Sequence, residues 1–278
     1  MGDQSPLDAD AVRGEAAGVP FVALPPQSRP DETPTVIIWH MHDPPRSETA
    51  MAAALPLRGL DACRVYLGVP LSGTRLPVGG LDAFFALGFE DAVLNLYGPS
   101  VRQALDEFPA ALASLRGEHG LAGGRVALIG ASIGAMIALG VLASGGLSAS
   151  AIALISPALR LESVVAANER LFGVTYPWID DARAVAAELD FVARAPEWAQ
   201  YAGPTLLVVG AEDDEDGFAV PADELAAALL GEGREATVVR IPHMAHAIAD
   251  EPGLEPAPQT PAAAAVDEVV SAWLRERL

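Results

Sequence analysis

Short apolar runs recur along the chain, separated by stretches whose apolar positions fall at helical spacing. The runs 19–24, 35–39, 64–67, 126–129, 151–155, 205–209 and 236–241 are continuous rather than alternating. A continuous apolar run rich in β-branched residues belongs to a strand covered on both faces. Residues 47–60, 99–119 and 261–277 read as helices, and Pro99 suits a first helical turn, where its missing N–H would have no intrahelical acceptor. Buried strands alternating with helices predict the α/β class: a mostly parallel central sheet with helices on both faces.

Two segments break the alternation. Residues 68–96 form a long connection rich in Gly, Pro and Phe, and residues 159–201 hold two or three helical pieces between consecutive strands. A strand–helix–strand connection needs no such length, so 159–201 is expected to be a small helical cap insertion. Its aromatic residues Phe172, Tyr176, Trp178 and Trp198 either line a pocket or form the insertion's own core. Residues 1–18 are acidic and Ala/Gly-rich, a frayed lead-in, and residues 19–278 read as a single domain with no internal repeat. The proline-rich stretch 251–261 reads as a surface loop leading to the last helix.

Charge narrows the choice of partners. The formal net charge is −20, and all 17 basic residues are arginine. Phosphate binding needs clustered cations, so neither nucleic acid nor an anionic membrane is expected as a partner. The absence of lysine removes Schiff-base chemistry, a phosphate-loop lysine and a carbamylated-lysine metal bridge. No run is long and apolar enough to span a membrane, the first residues lack a signal-peptide pattern, and Cys63 is the only cysteine. These features lead to the expectation of a cytoplasmic protein without disulfides, with Cys63 as buried filler in a strand.

Candidate chemistry centres on Gly130-Ala131-Ser132-Ile133-Gly134, which follows the apolar run 125–129 and precedes a helical segment. A serine at a tight strand-to-helix turn, with glycine two residues to either side, is the pattern of a nucleophile elbow. A Cβ at either glycine is expected to crowd the strained turn. A serine hydroxyl needs a base, and the base an orienting acid. Asp213 is the first choice for the acid and Asp214 the reserve, because the run 212–216 follows a strand at the sheet edge where open α/β sheets place their sites. His243 and His246 follow the last strand, and His246, deeper in the loop, is preferred as base.

The ordered set Gly130–Gly134, Gly210–Asp213 and Pro242–His246 resembles the α/β-hydrolase family, closest to dienelactone-hydrolase-like and prolyl-oligopeptidase-like catalytic domains. The likeness covers the chain from about residue 19 to its end. It implies an acid three residues after the strand-ending Gly210, which selects Asp213, and a base four residues after Pro242, which selects His246. It also implies an oxyanion hole built from the N–H of Ile133 and a second N–H from the loop after strand 35–39. Many members carry His-Gly there, whereas this chain reads His40-Met41-His42. By position His42 supplies the second N–H, with Met41 in reserve, and His40 joins the expected substrate pocket with Phe172, Tyr176 and Trp178.

The resemblance implies a serine hydrolase without cofactor or metal, cleaving a carboxylic ester of a small, partly apolar substrate through an acyl-enzyme. A thioesterase or small peptidase would use the same mechanism, and a non-catalytic relative would keep the fold and bind a ligand. A different class assembles a metal site from His40, His42, His243, His246 and Asp213. Against it, Asp43 directly follows His42, which breaks the usual metal-binding histidine spacing.

Overall fold

The computed structural model describes residues 10–26, 33–121 and 124–278. Its sheet has eight strands: β1 (Val12–Ala16), β2 (Val19–Leu24), β3 (Thr35–Trp39), β4 (Cys63–Leu67), β5 (Val126–Ala131), β6 (Ile152–Ile155), β7 (Thr205–Gly210) and β8 (Ala236–Ile241). Their spatial order is β1-β2-β4-β3-β5-β6-β7-β8. β1 pairs antiparallel with β2, and β2 with β4, whereas every pair from β4 onward is parallel. The central strands are buried throughout, which is why their runs are continuous rather than alternating.

Each sheet face carries its own core. On one side, β3 and β5 residues such as Ile37 and Leu128 pack with α3 (Gly98–Gly117), α4 (Ile133–Ala143) and α8 (Val220–Gly231). On the other, Ile38 and Ile129 pack with α1 (Glu48–Ala54) and α9 (Pro261–Arg275). Helix α4 is apolar and buried on all sides, the signature of a helix held inside the molecule rather than on its surface.

Several elements differ from the sequence reading. Residues 12–16 lie in the expected lead-in but form the edge strand β1, whose mostly exposed residues give only a weak apolar signal; residues 1–9 of that lead-in are outside the described residues. The helix expected over 47–60 ends at Ala54, because Pro56 disfavours helical geometry at Leu55. The connection 68–96 contains α2 (Gly80–Asp91) and a wide helical turn, Ala92–Tyr97. Phe85 and Phe89 are 41% and 66% exposed, so α2 presents no single apolar stripe to be read. Between β6 and β7 lie α5 (Leu161–Phe172), α6 (Asp180–Glu188) and the short α7 (Ala195–Trp198). Cys63 is buried, and burial pushes its thiol up to about 11. Among the described residues no helix is long and apolar enough to cross a membrane.

The loops after β3 and β8 are joined chiefly by Arg46, whose side chain is 3% exposed. Its Nε donates to the His42 carbonyl at 2.8 Å, and its guanidinium donates to both Glu251 carboxylate oxygens and to the Pro252 carbonyl. The backbone adds more ties: Arg46 N–H to Gly253 O at 2.6 Å and Ile248 N–H to Pro44 O at 3.1 Å. Ser47 Oγ donates to Leu254 O at 2.6 Å. Arg46→Met keeps much of the buried stem but leaves two carbonyls without their donor. The expected cost is about 2–3 kcal/mol, read as a lower denaturation midpoint in urea; an unchanged midpoint contradicts this role.

Candidate active site

Strands β3, β5, β7 and β8 all deliver their following loops to the same edge of the sheet. Ser132 comes after β5 with φ 48° and ψ −116°, a sparsely populated conformation for a residue with a side chain. Neighbouring backbone holds the turn: Ser132 N–H donates to Ile155 O at 3.0 Å and Ala158 N–H donates to Ser132 O at 3.2 Å. The flanking glycines serve close approach rather than space around Ser132 itself. A Cβ on Gly130 would lie 2.3 Å from the Gly134 carbonyl oxygen, and one on Gly134 would lie 2.5 Å from that of Trp39. Glycine at 134 therefore lets α4 start directly beneath the end of β3.

The structure brings three of the expected residues into one hydrogen-bonded chain. His246 Nε2 lies 2.9 Å from Ser132 Oγ, and its Nδ1 lies 2.8 Å from Asp213 Oδ2. This geometry suits an Nδ1–H donated to the carboxylate and an Nε2 lone pair that accepts the serine proton. The Asp213 side chain is 4% exposed and that of His246 19%. Asp213 Oδ1 accepts the Asp214 N–H at 2.8 Å, and the imidazole packs against Phe218 with ring centroids 4.1 Å apart and the planes tilted by 40°. Burial pulls the His246 pKa down, but the Asp213 hydrogen bond and the charges of Asp43 and Asp213 outweigh it, so the net shift is upward.

Asp214, the reserve acid, turns away. Its carboxylate pairs with Arg170 of α5 at 2.6 and 2.9 Å and accepts the Gly217 N–H. The Arg170 guanidinium holds its carboxyl below the usual range. Asp214 thus ties the loop after β7 to α5. His243 is exposed and faces Glu212.

The loop after β3 divides its residues by role. Met41, the reserve oxyanion donor, gives its N–H to Pro45 O at 3.3 Å. Its side chain is fully buried. Met41 keeps φ negative, so this position does not demand glycine. Among the described residues, the N–H groups of Ile133 and His42 meet no acceptor. His40 does not reach the expected pocket. It is fully buried, donates from Nδ1 to Met41 O at 2.8 Å and accepts the Val69 N–H on Nε2 at 2.9 Å. Burial lowers its pKa to about 4, so it stays neutral and ties this loop to the one after β4. His40 and His243 thus have partners other than His246, and among the described residues no cluster of three or more His, Cys, Asp or Glu is arranged to hold a metal ion.

A cavity of about 240 Å³ opens beside this loop. Phe172 and Tyr176 line it as expected, but Trp178 does not; it packs against Tyr176 at 4.8 Å. Trp198 is core, fully buried with its Nε1–H on Phe191 O. The sequence reading missed the opposite wall, made by Phe84, Phe85 and Phe89 of α2 and by Leu96 and Tyr97 of the wide turn. The cluster of exposed-patterned phenylalanines in 84–89 was the available signal. His42 and Asp43 also line the cavity, whereas Ser132 and His246 do not. Asp43 makes the connection, with Oδ2 3.6 Å from His246 Nε2.

No protein-family model matches this sequence, and no curated protein does so either. Solved structures match with low identity. A carboxyl esterase from the mycorrhizal fungus Tuber melanosporum is 16% identical, with the match covering 100% of this chain and 90% of that one at a TM-score of 0.60. An acylaminoacyl peptidase from Pyrococcus horikoshii is 14% identical, covering 99% of this chain and 42% of the peptidase at 0.65. A puromycin-hydrolysing peptidase from Mycobacterium tuberculosis is 16% identical, covering 96% of this chain and 40% of the peptidase at 0.64. At such identities the likeness speaks for architecture alone, and together with the strand order it establishes that this chain has the α/β-hydrolase fold.

Proposed function

We propose that the chain is a serine hydrolase that cleaves a carboxylic ester of a small, partly apolar substrate. The observation that carries this reading is the continuous hydrogen-bonded chain from Ser132 Oγ through His246 to Asp213. In the mechanism it supports, Ser132 Oγ attacks the ester carbonyl carbon while His246 Nε2 takes its proton. The resulting oxyanion is held by the N–H groups of Ile133 and His42, which are free of other acceptors; such donors contribute on the order of 3 kcal/mol each to the transition state. The tetrahedral intermediate collapses as His246 returns the proton to the leaving alcohol. Water then attacks the acyl-enzyme with His246 again as base, releasing the acid and restoring Ser132. Asp213 fixes the imidazole tautomer and stabilises the imidazolium formed at each step. Like the expectation of a small-molecule substrate, the roles given to these five residues belong to this reading.

Ser132→Ala is expected to lower turnover of a short p-nitrophenyl ester by at least about a thousandfold, and a fluorophosphonate probe should add covalently to Ser132 in the unmodified protein only. A mutant retaining wild-type turnover overturns the assignment.

The upward shift of His246 sets the expected pH profile. The base works as neutral imidazole, so activity is lost as pH falls through its pKa. The acid limb of kcat/KM should therefore have its midpoint above the ordinary histidine value of about 6.5. A midpoint near 5 in a pH–rate series would contradict this electrostatic account.

A further inference from the structure

The cavity beside the site is both aromatic and acidic. Asp43, Glu90, Asp91 and Glu169 line it, against a single cation, Arg46. That cation is already taken by Glu251, through two hydrogen bonds of 2.5 and 3.0 Å. Among the described residues none of the four carboxylates pairs with an arginine. The donors that do reach Asp91 and Glu169 are neutral, namely the hydroxyl and N–H of Tyr176 and the backbone N–H groups of Val93 and Leu94. They orient the carboxylates without cancelling their charge.

An independent sign of a missing ligand is His42. Its ring is 6% exposed and borders the cavity edge-on to Phe84 at 5.1 Å. Neither ring nitrogen has a hydrogen-bond partner within normal distance and angle, although the Pro70 carbonyl lies close enough to favour the protonated ring. Burial, with the nearby His40 and Arg46, depresses its pKa to about 3, so it offers a neutral acceptor at neutral pH. A buried polar group left without a partner is costly, and a donor entering the cavity would satisfy the unprotonated ring nitrogen, leaving the N–H directed at the Pro70 carbonyl.

We propose that this cavity binds a protonated amine carried on an apolar chain, so that the preferred substrates are esters bearing an ammonium group. The proposal rests on the serine-hydrolase reading for its chemistry but not for its binding site. The ammonium would donate to the His42 ring and to Asp43, whose Oδ2 stands 3.6 Å from His246 Nε2, while the methylene chain lies against Phe84, Phe89 and Phe172. Aromatic faces add attraction for a cation, and lysine is absent from the chain, so no lysine of its own competes. An anionic substrate meets four like charges and is excluded.

The test compares three p-nitrophenyl esters of matched length: the ω-aminohexanoate, the heptanoate, in which a methyl replaces the ammonium, and the pimelate half-ester, which ends in a carboxylate. The expected kcat/KM for the amino ester exceeds that for the heptanoate by about tenfold or more, with the half-ester slowest. Asp43→Asn should reduce the amino-to-heptanoate ratio by about tenfold. Equal values for amino ester and heptanoate, or a ratio unchanged in Asp43→Asn, overturn the proposal while leaving the hydrolase reading intact. Calorimetric titration of Ser132→Ala protein with hexylammonium and with hexanol measures the site without turnover. Selective binding of hexylammonium, weakened by Asp43→Asn, supports the site even if no ester is cleaved and no fluorophosphonate adduct forms, an outcome that would sink the hydrolase reading alone. Equal or absent binding of the two overturns the cation site.

Discussion

Backbone-on-backbone contact at the turn after β5 is the constraint on which the candidate site depends. Ser132 occupies a conformation that costs on the order of 1–3 kcal/mol when unsupported. Its support comes from β6 on one side, through the Ile155 carbonyl, and from β3 on the other, where Gly134 lies against the Trp39 and His40 carbonyls. The same contact brings the start of α4 beside the loop that carries His42. The Ile133 N–H points away from any internal acceptor because it belongs to the first turn of α4, where N–H groups lack intrahelical partners. The strain, the placement of the Ser132 hydroxyl and the free N–H thus share one cause.

A second layer of order holds the two long loops in register. His40 bonds to the loop after β4, Arg46 bonds to the loop after β8, and Asp214 bonds to α5. Each of these groups sits one to four residues from a member of the site, yet none touches Ser132. Their contribution is position: His246 is carried by a loop with no regular secondary structure, and its imidazole reaches both partners only because Pro44, Arg46 and Ser47 anchor that loop from the other side. Precise side-chain placement on loops generally requires such buried supports.

The cavity shows how charge and shape divide the labour. Rings from α2 and α5 supply the walls, with Phe89 and Phe172 in edge contact at 5.6 Å. Carboxylates supply the field, and their excess mirrors the net charge of −20 over the whole chain. What is specific to the cavity is that its one guanidinium is consumed by Glu251, so the local field remains negative even beside an arginine.

The sequence by itself determined the architecture and the order of the chemistry. Short continuous apolar runs alternating with helical segments point to the strands of a mostly parallel sheet; the Gly-x-Ser-x-Gly turn, the acidic loop after β7 and the histidines after β8 carry local signatures at strand ends. Tertiary structure decided whatever depends on direction across space. Asp213 and Asp214 are adjacent and chemically alike, and only the position of Arg170 on α5 pulls one away while His246 meets the other. His40 and His42 stand two residues apart in one loop, and only the N–H of Val69 makes the first a tie to the loop after β4 while the second borders the cavity. The facing walls of that cavity lie far apart along the chain, on α2 and α5, and nothing local to either segment encodes their meeting. Periodicity reports which side of an element is buried; it carries no information about which distant group lies opposite.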